Sequence, residues 1–596
     1  MKRHLQVRDS SNNRREQKKI GKTREQVAKL WLQLPDRLLA SSYLGKAGQI
    51  HKAVISRLLV ERPGSKKERQ QAGRLLQGLP DSIRETGAIG RLLAAMLYNR
   101  AHELPPYFEL EAFPKWLVHD YLRYMTNPAL LFCVPNESER CFEHMRRWVD
   151  YLHRSIMENP ASVFWRDVAK QFAQVSDFGP LYFNDQNVMP LYAQRGDIIE
   201  HVLRSGGYAV DNKFASLTER QPLRIGVLSV HCDPSPETYA MLPVFEFLGS
   251  GFDATIYVLR SSGEPLEQYC KTRVESLKVL PNNLKSQVEY IRKDKLDVLF
   301  VATNITASCN PICYLAAHRL ARVQVAGTGS VTTTGLRNID YYMTGTLTDK
   351  KSSVNHYRET LMWLDGPAHC FSYGPDSRHE SEPISRTELG IADDVTVYAS
   401  GANIFKVLPE LMILWARLLG SHSGSALMLY PYGPNWSSSY PKDLFAQRLS
   451  EYFTAEGVAV NRLFILDPDP VPDRNQIREY LKIADVYLDS FPFSATTSLI
   501  EPLELGLPIV SRGGKSFRSS MGAALLEEIG MHELIASDAD EYIALAGKIG
   551  RDAVLRQALG GKIHRAMKLQ PAFLDSVAYS RRVGKLFRGV SRKGAV

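Results

Sequence analysis

Nowhere does the 596-residue sequence hold an uninterrupted apolar run of about 18 residues, so no transmembrane helix is expected. The basic N-terminus is followed by neither an apolar core nor a small-residue cleavage site, so no secretory signal is expected either. Cysteine is scarce: seven residues, an odd number scattered over a long chain, which suits free thiols in a reducing compartment better than a disulfide framework. Cys309 and Cys313 stand four apart with no matching second pair, so no structural zinc site is expected. A 34-residue helical repeat is also missing, which argues against a superhelical array. Together these absences point to a cytoplasmic protein.

What is present is ordinary globular material, 44% hydrophobic and 23% charged, in a chain long enough for three or four domains. The net charge of +10 is unevenly placed. Residues 1–31 carry ten Lys/Arg against three acids, and residues 577–596 carry six Lys/Arg and no acid, so the body between is close to neutral. A nucleic-acid enzyme carries its basic patch on the folded body, so no nucleic-acid partner is expected. Residues 1–25 read as a basic disordered tail and 579–596 as a second basic tail.

Between the tails the texture changes twice. Residues 26–218 read as an all-α domain, with apolar residues at three- and four-residue spacing from Gln49 to Val60, Ile89 to Leu97, Trp116 to Tyr124 and Phe142 to Ile156. Breakers such as Arg62-Pro63-Gly64 and Asn159-Pro160 separate them. The aromatic run from Phe142 to Phe183 has helical spacing and reads as core. From Leu223 onward, strands alternate with helices, which predicts doubly wound parallel sheets. One such domain is expected over 219–380 and another over 381–578, with a polar linker near 376–388 between their elements.

The second of these carries the most informative stretch, Ala484 to Leu526. It reads as a strand (Val486 to Leu488), a turn rich in Phe, Pro, Ser and Thr, a helix from about Thr497 to Leu505, then a second strand. Its first loop puts the hydroxyls of Thr496, Thr497 and Ser498 at a helix N-terminus. The unpartnered N–H groups and the helix dipole attract anions there. Glu501 lies one turn further in, where a carboxylate can accept both hydroxyls of a ribose. Phosphate at the helix start and a diol-binding acid one turn on make a nucleotide-sugar site.

This block resembles the donor-site segment of glycosyltransferase family 41, the O-linked N-acetylglucosamine and SPINDLY-like transferases and the bacterial adhesin-type N-glycosyltransferases. The order Leu488-Asp489-Ser490-Phe491-Pro492-Phe493, Thr496-Thr497-Ser498, the acid at 501 and Leu505-Gly506-Leu507-Pro508 carries the resemblance, which extends more weakly from Arg224 to Leu586. It implies a GT-B fold, two Rossmann-like domains facing a cleft, here preceded by the all-α domain. The segment Ser400 to Lys406 resembles the family stretch in which Asn403 and Lys406 would contact the diphosphate. Arg474, closing the Asp467 to Arg474 loop, takes the place of a basic residue near the nucleobase. Gly329, Thr333 and Gly335 match a Gly-rich loop that closes over the donor. Asp467 and Asp469 form a DxD pair, but each precedes a proline in a loop that matches the nucleobase segment. No metal and no cofactor are therefore expected.

The acceptor side departs from the pattern. The family has histidines after the first strand, whereas this chain has His231-Cys232-Asp233-Pro234-Ser235-Pro236-Glu237-Thr238-Tyr239. His231 and Glu237 remain as candidate acid–base groups, and His369 and His318 read as structural. The resemblance implies an inverting, metal-independent transfer from a UDP-sugar, of UDP-Glc or UDP-GlcNAc type, to Asn or Ser/Thr side chains of a protein or peptide. Three other readings stay open: a small-molecule or polysaccharide acceptor, a sugar-nucleotide-binding protein without turnover, and an epimerase of the same fold.

Overall fold

The computed structural model describes residues 4–5, 11–59, 61–62, 64–214, 222–375, 381–433, 440–468 and 471–593. They fold as two compact units, one formed by residues 7–181 with 441–448 and one by the remainder. The larger unit starts at Tyr182, upstream of the boundary expected at 218–219, because the helix Met189–Ser205 packs with the sheets.

The smaller unit is helical. Its helices include Ser11–Gln33, Lys46–Arg57, Ala88–Met96, Lys115–Thr126, Glu137–Glu158 and Val163–Val175. The first takes in residues 11–25 of the expected disordered tail, residues 1–3 and 6–10 lying outside the described residues: the charged stretch leads straight into the Val27, Ala28 and Trp31 face, all buried. Trp148, Trp165 and Phe172 are buried, as their helical spacing predicts. One charge cluster lies inside: Glu137 is fully buried and accepts from Arg62 and Arg100, each at 2.8 Å. Glu137 would otherwise be a buried carboxylate without a counter-ion, a state that costs several kcal/mol.

In the larger unit, after a two-residue strand β1 (His4–Leu5), the strands come in two runs. The first is β2 (Leu223–Ser229), β3 (Phe252–Val258), β4 (Ser276–Val279), β5 (Val298–Val301), β6 (Val323–Ala326), β7 (Tyr341–Gly345) and β8 (Thr360–Leu364). They pair in parallel in the order β4-β3-β2-β5-β6-β7-β8. The second run is β9 (Thr396–Ser400), β10 (Ser425–Leu429), β11 (Leu463–Leu466), β12 (Val486–Leu488), β13 (Ile509–Arg512) and β14 (Ile535–Ala536). These are parallel in the order β11-β10-β9-β12-β13-β14, and β1 adds antiparallel to the β11 edge. The near-continuous burial of β2, β5, β6, β9 and β10 is what a sheet covered by helices on both faces requires.

In each sheet the strand order reverses beside the first strand, between β2 and β5 and between β9 and β12. Ligands of doubly wound sheets bind at this point, beyond the carboxyl ends of the strands.

The basic tail expected from residue 579 is helical as far as Lys593, the last of the described residues. Residues Ser576–Lys593 form a helix that returns from the second sheet to the first, where Tyr579, Val583, Phe587 and Val590 join the core built on β2, β3 and β5. Their spacing of three to four residues makes one apolar stripe, while Lys/Arg fill the other face. After β8 the chain crosses from the first sheet to the second and after β14 it crosses back, and these two crossings touch. Phe371 N–H donates to Phe573 C=O at 2.9 Å, and the Tyr579 hydroxyl donates to Ala368 C=O at 2.8 Å.

Candidate functional site

At the reversal point of the second sheet, two loops meet. One follows β9 and carries Asn403 and Lys406; the other follows β12 and leads into the helix Thr497–Glu504. Lys406 extends across the gap: its Nζ donates to Ser494 C=O at 3.0 Å and sits 3.9 Å above the Phe493 ring. Burial lowers its pKa to about 8, against the nearby Asp489 carboxylate, which raises it. Asn403 Nδ2 donates to the Tyr440 hydroxyl at 2.9 Å, and Asn403 Oδ1 accepts from Phe405 N–H at 3.2 Å. The second bond sets the turn that aims Lys406.

Asp489 holds the other loop, a role the residue pattern did not single out. Fully buried, it accepts from the hydroxyls of Ser494 at 2.6 Å and Ser511 at 2.7 Å, and from Ala495 N–H at 2.9 Å. Burial nonetheless raises its carboxyl pKa. Tyr182 and Phe183, which read as part of a helical core, instead pack on the Phe493 ring at 5.6 and 5.8 Å. At the helix start Thr496 occupies the capping position without a side-chain cap, and Thr496, Thr497 and Ser498 are half-buried.

Glu501, one turn in, is buried and accepts from Arg474 Nε at 2.7 Å. Arg474 also donates to Glu504 at 2.8 Å and lies 3.7 Å above the ring of Tyr373, which follows β8. The structure therefore joins two residues that the sequence treated separately. Burial raises the Glu501 carboxyl while Arg474 pulls it down. Asp467 precedes this element, and Asp469 lies outside the described residues. Among the described residues no cluster of three or more His, Cys, Asp and Glu is placed to hold a metal.

His369 lies where the two sheets meet, beside Lys406. It is buried, hydrogen-bonded to the Thr328 backbone, and lowered to a pKa of about 4 by burial, with the Lys406 charge adding to the shift. It is thus held against the start of the Gly-rich loop, within the field of the lysine. Further along, that loop turns inward. Thr333 is fully buried and donates to Glu359 at 2.6 Å. Gly335 has φ +68°, and a Cβ there would lie 2.1 Å from Tyr192 C=O; one at Gly329 would lie 1.8 Å from Ala302 C=O. Gly329, Thr333 and Gly335 thus pack the loop against β5 and the helix Met189–Ser205.

At the reversal point of the first sheet, the loop after β2 carries the acid–base candidates. His231 turns back on its own loop: its Nδ1 accepts from Asp233 N–H at 3.1 Å, and Asp233 pairs with Arg260 at 2.7 Å. Burial lowers the imidazole pKa, opposed by Asp233. Glu237 lies in the first turn of the helix Pro236–Phe245, capped by Ser235, and is hydrogen-bonded to the Asn304 backbone beyond β5. Burial raises its carboxyl pKa. Of the two, Glu237 bridges the loops of both strands at the reversal point.

Comparison with known proteins adds three findings. Residues 371–583 match the family described as Glycosyl transferase family 41. Over 305 residues the chain is 28% identical to the "Probable UDP-N-acetylglucosamine--peptide N-acetylglucosaminyltransferase SPINDLY" of Petunia hybrida, covering 51% of this chain and 31% of that protein. It is 23% identical over 368 residues to the corresponding SEC protein of Arabidopsis thaliana, covering 60% of this chain and 36% of the other. The chain thus spans about a third of the length of these curated relatives. Among solved structures, a mutant of the Thermobaculum terrenum O-GlcNAc transferase shares the fold. Its TM-score is 0.59 at 19% identity, covering 92% of this chain and 98% of that one. The architecture is therefore GT-B with a helical N-terminal region.

Proposed function

From the match of residues 371–583 to the model of glycosyl transferase family 41, we propose an inverting, metal-independent transfer of a sugar from a UDP-sugar to side chains of a protein or peptide. The observation that carries this is the convergence of Lys406 and the start of the helix Thr497–Glu504 at the reversal point of the second sheet. A lysine brought across to a helix N-terminus concentrates positive potential in one place. A leaving diphosphate needs such a field in the absence of a metal, so it is the group this locus suits. Asn403 supports the lysine's turn, and Thr496, Thr497 and Ser498 supply half-buried hydroxyls beside it.

Glu501 suits a ribose diol once Arg474 yields part of its hold, and Arg474 with the Tyr373 ring suits the flat base beyond. Across the cleft, Glu237 is the group we assign to remove the acceptor proton. Its raised pKa favours proton uptake, and it stands in the first turn of the helix after β2, hydrogen-bonded to the loop that follows β5. The relatives named above, described as peptide N-acetylglucosaminyltransferases, support UDP-GlcNAc as the first donor to try.

The test is mass spectrometry of a proteome extract incubated with the protein and UDP-GlcNAc or UDP-glucose, in parallel with Lys406→Ala. Hexose or N-acetylhexosamine added to peptides only by the intact protein supports the reading and identifies the acceptor residue. No addition, together with no UDP-sugar binding by calorimetry, would sink it. Binding without addition to peptides would move the acceptor to a small molecule or a polysaccharide.

A further inference from the structure

Two pairs of thiols touch in the first sheet's domain, and their surroundings differ. Cys232 and Cys270 are both fully buried in the apolar core around β2 and β3, and their mutual contact and burial push the Cys232 thiol up. Cys309 and Cys313 lie on the loop after β5 and the first turn of the helix Pro311–Ala316, again in hydrogen-bond contact. Of the seven cysteines, Cys309 alone is half-buried and the rest are buried. The fully buried Arg195 reaches this pair from the helix Met189–Ser205. It donates to Cys309 Sγ at 3.5 Å and to the carbonyls of Ile305 and Thr306 at 3.3 and 3.4 Å. Tyr192 lies beneath the guanidinium at 5.7 Å and Tyr314 flanks both sulfurs.

A guanidinium held against one sulfur of a thiol pair stabilises that sulfur as thiolate, the nucleophilic form. We propose that Cys309 and Cys313 are a modification site, a reactive dithiol that hydroperoxides oxidise to a disulfide. The Cys309 thiolate attacks the peroxide O–O bond; an S–O bond forms, the O–O bond breaks, and the departing hydroxide takes up a proton to leave as water. Cys313 sulfur then attacks the Cys309 sulfenic acid; the S–S bond forms, the S–O bond breaks, and the departing hydroxide takes the Cys313 proton as water. Two thiols and one hydrogen peroxide give one disulfide and two waters, the peroxide being the group reduced.

The electrostatics point the same way: contact with Cys313 and the charge of Arg195 outweigh burial and lower the Cys309 thiol. The thiolate is thus favoured at Cys309, while Cys313 is pushed up and keeps its proton for the second step. This inference rests on thiol chemistry and is independent of the transferase reading.

The full-length protein supplies its own control. Hydrogen peroxide is titrated in at neutral pH, remaining thiols are blocked with iodoacetamide after denaturation, and tryptic peptides are weighed. Residues 296–319 form one tryptic peptide holding both Cys309 and Cys313. The expected result is that this peptide is the first to appear unblocked and lighter by two hydrogens, while Cys232 and Cys270 are still blocked as thiols. In Cys313→Ser the same treatment should leave Cys309 as a sulfenic acid that dimedone traps. Oxidation of Cys232 and Cys270 at an equal or lower dose would overturn the proposal. So would full blocking of both Cys309 and Cys313 after treatment, or an unmodified Cys309 in Cys313→Ser.

Discussion

The two sheets reverse strand order in the same way, yet their reversal points are furnished for opposite charges. Beyond β9 and β12 the fixed groups are a lysine, a helix start and hydroxyls, tied down by a buried aspartate. Beyond β2 and β5 the prominent group is a carboxyl, Glu237, whose proton is held more firmly than usual. The lesson is that the topology supplies only a place where two loop ends converge. Whether that place receives an anion or a proton is decided by which side chains burial has forced into each loop.

Breaking the anion-binding half should have the largest effect. Lys406→Ala should lower turnover by about 10²–10³-fold, the usual cost of one preorganised transition-state donor, with an unchanged circular-dichroism melt. Full activity in that variant would dismiss the site. On the other half, Glu237→Gln should cost about 10²-fold or more in kcat while leaving UDP affinity in place. A parallel loss of UDP affinity would mean that the two halves are not chemically separate.

The pH profile sharpens the same contrast. Lys406 is charged below about 8, so kcat/KM should fall as pH rises past that value. On the acid side, activity should rise as Glu237 deprotonates, above the ordinary range of a carboxyl group because its pKa is raised. Lys406→Arg should move only the alkaline limb and Glu237→Gln should abolish only the acid one. A single limb that responds to both variants would contradict the assignment.

Smaller effects are expected further out. Glu501→Gln should weaken UDP binding about tenfold, the scale of one hydrogen bond to a charged group, as calorimetry would read. Gly522→Ala tests the loop's framework instead. Its new Cβ would lie 2.4 Å from Asp489 Oδ2 and 2.6 Å from Ser494 Oγ. The variant should lose about 1–3 kcal/mol of stability to overpacking, seen as a lower Tm.

Much of the second sheet's loop architecture is legible in the residues themselves. The β12 strand and the helix start at Thr497 stand where the apolar run and the Thr-Thr-Ser sequence put them, because both are local signals. The pairing of Arg474 with Glu501 and the place of Tyr373 beneath the guanidinium are not legible, since they join residues 27 and 101 positions apart in sequence. Asp489 reads only as part of a motif; its function as a hydrogen-bond hub depends on Ser511, which arrives with the next strand. The C-terminal helix is a different kind of miss. Its run of Lys/Arg masks the stripe Tyr579, Val583, Phe587 and Val590, a helical period present in the sequence.

That helix also decides how the two sheets can be mechanically related. With one linker the second domain would be free to swivel about it. The chain crosses twice, and the hydrogen bonds at Phe371 and Tyr579 bind the outgoing crossing to the incoming segment, as two leaves of a door share a hinge pin. A paired crossing of this kind joins the two sheets through two adjacent stretches of backbone instead of one. The final helix anchors the returning crossing, because Tyr579, Val583, Phe587 and Val590 are buried in the core of the first sheet.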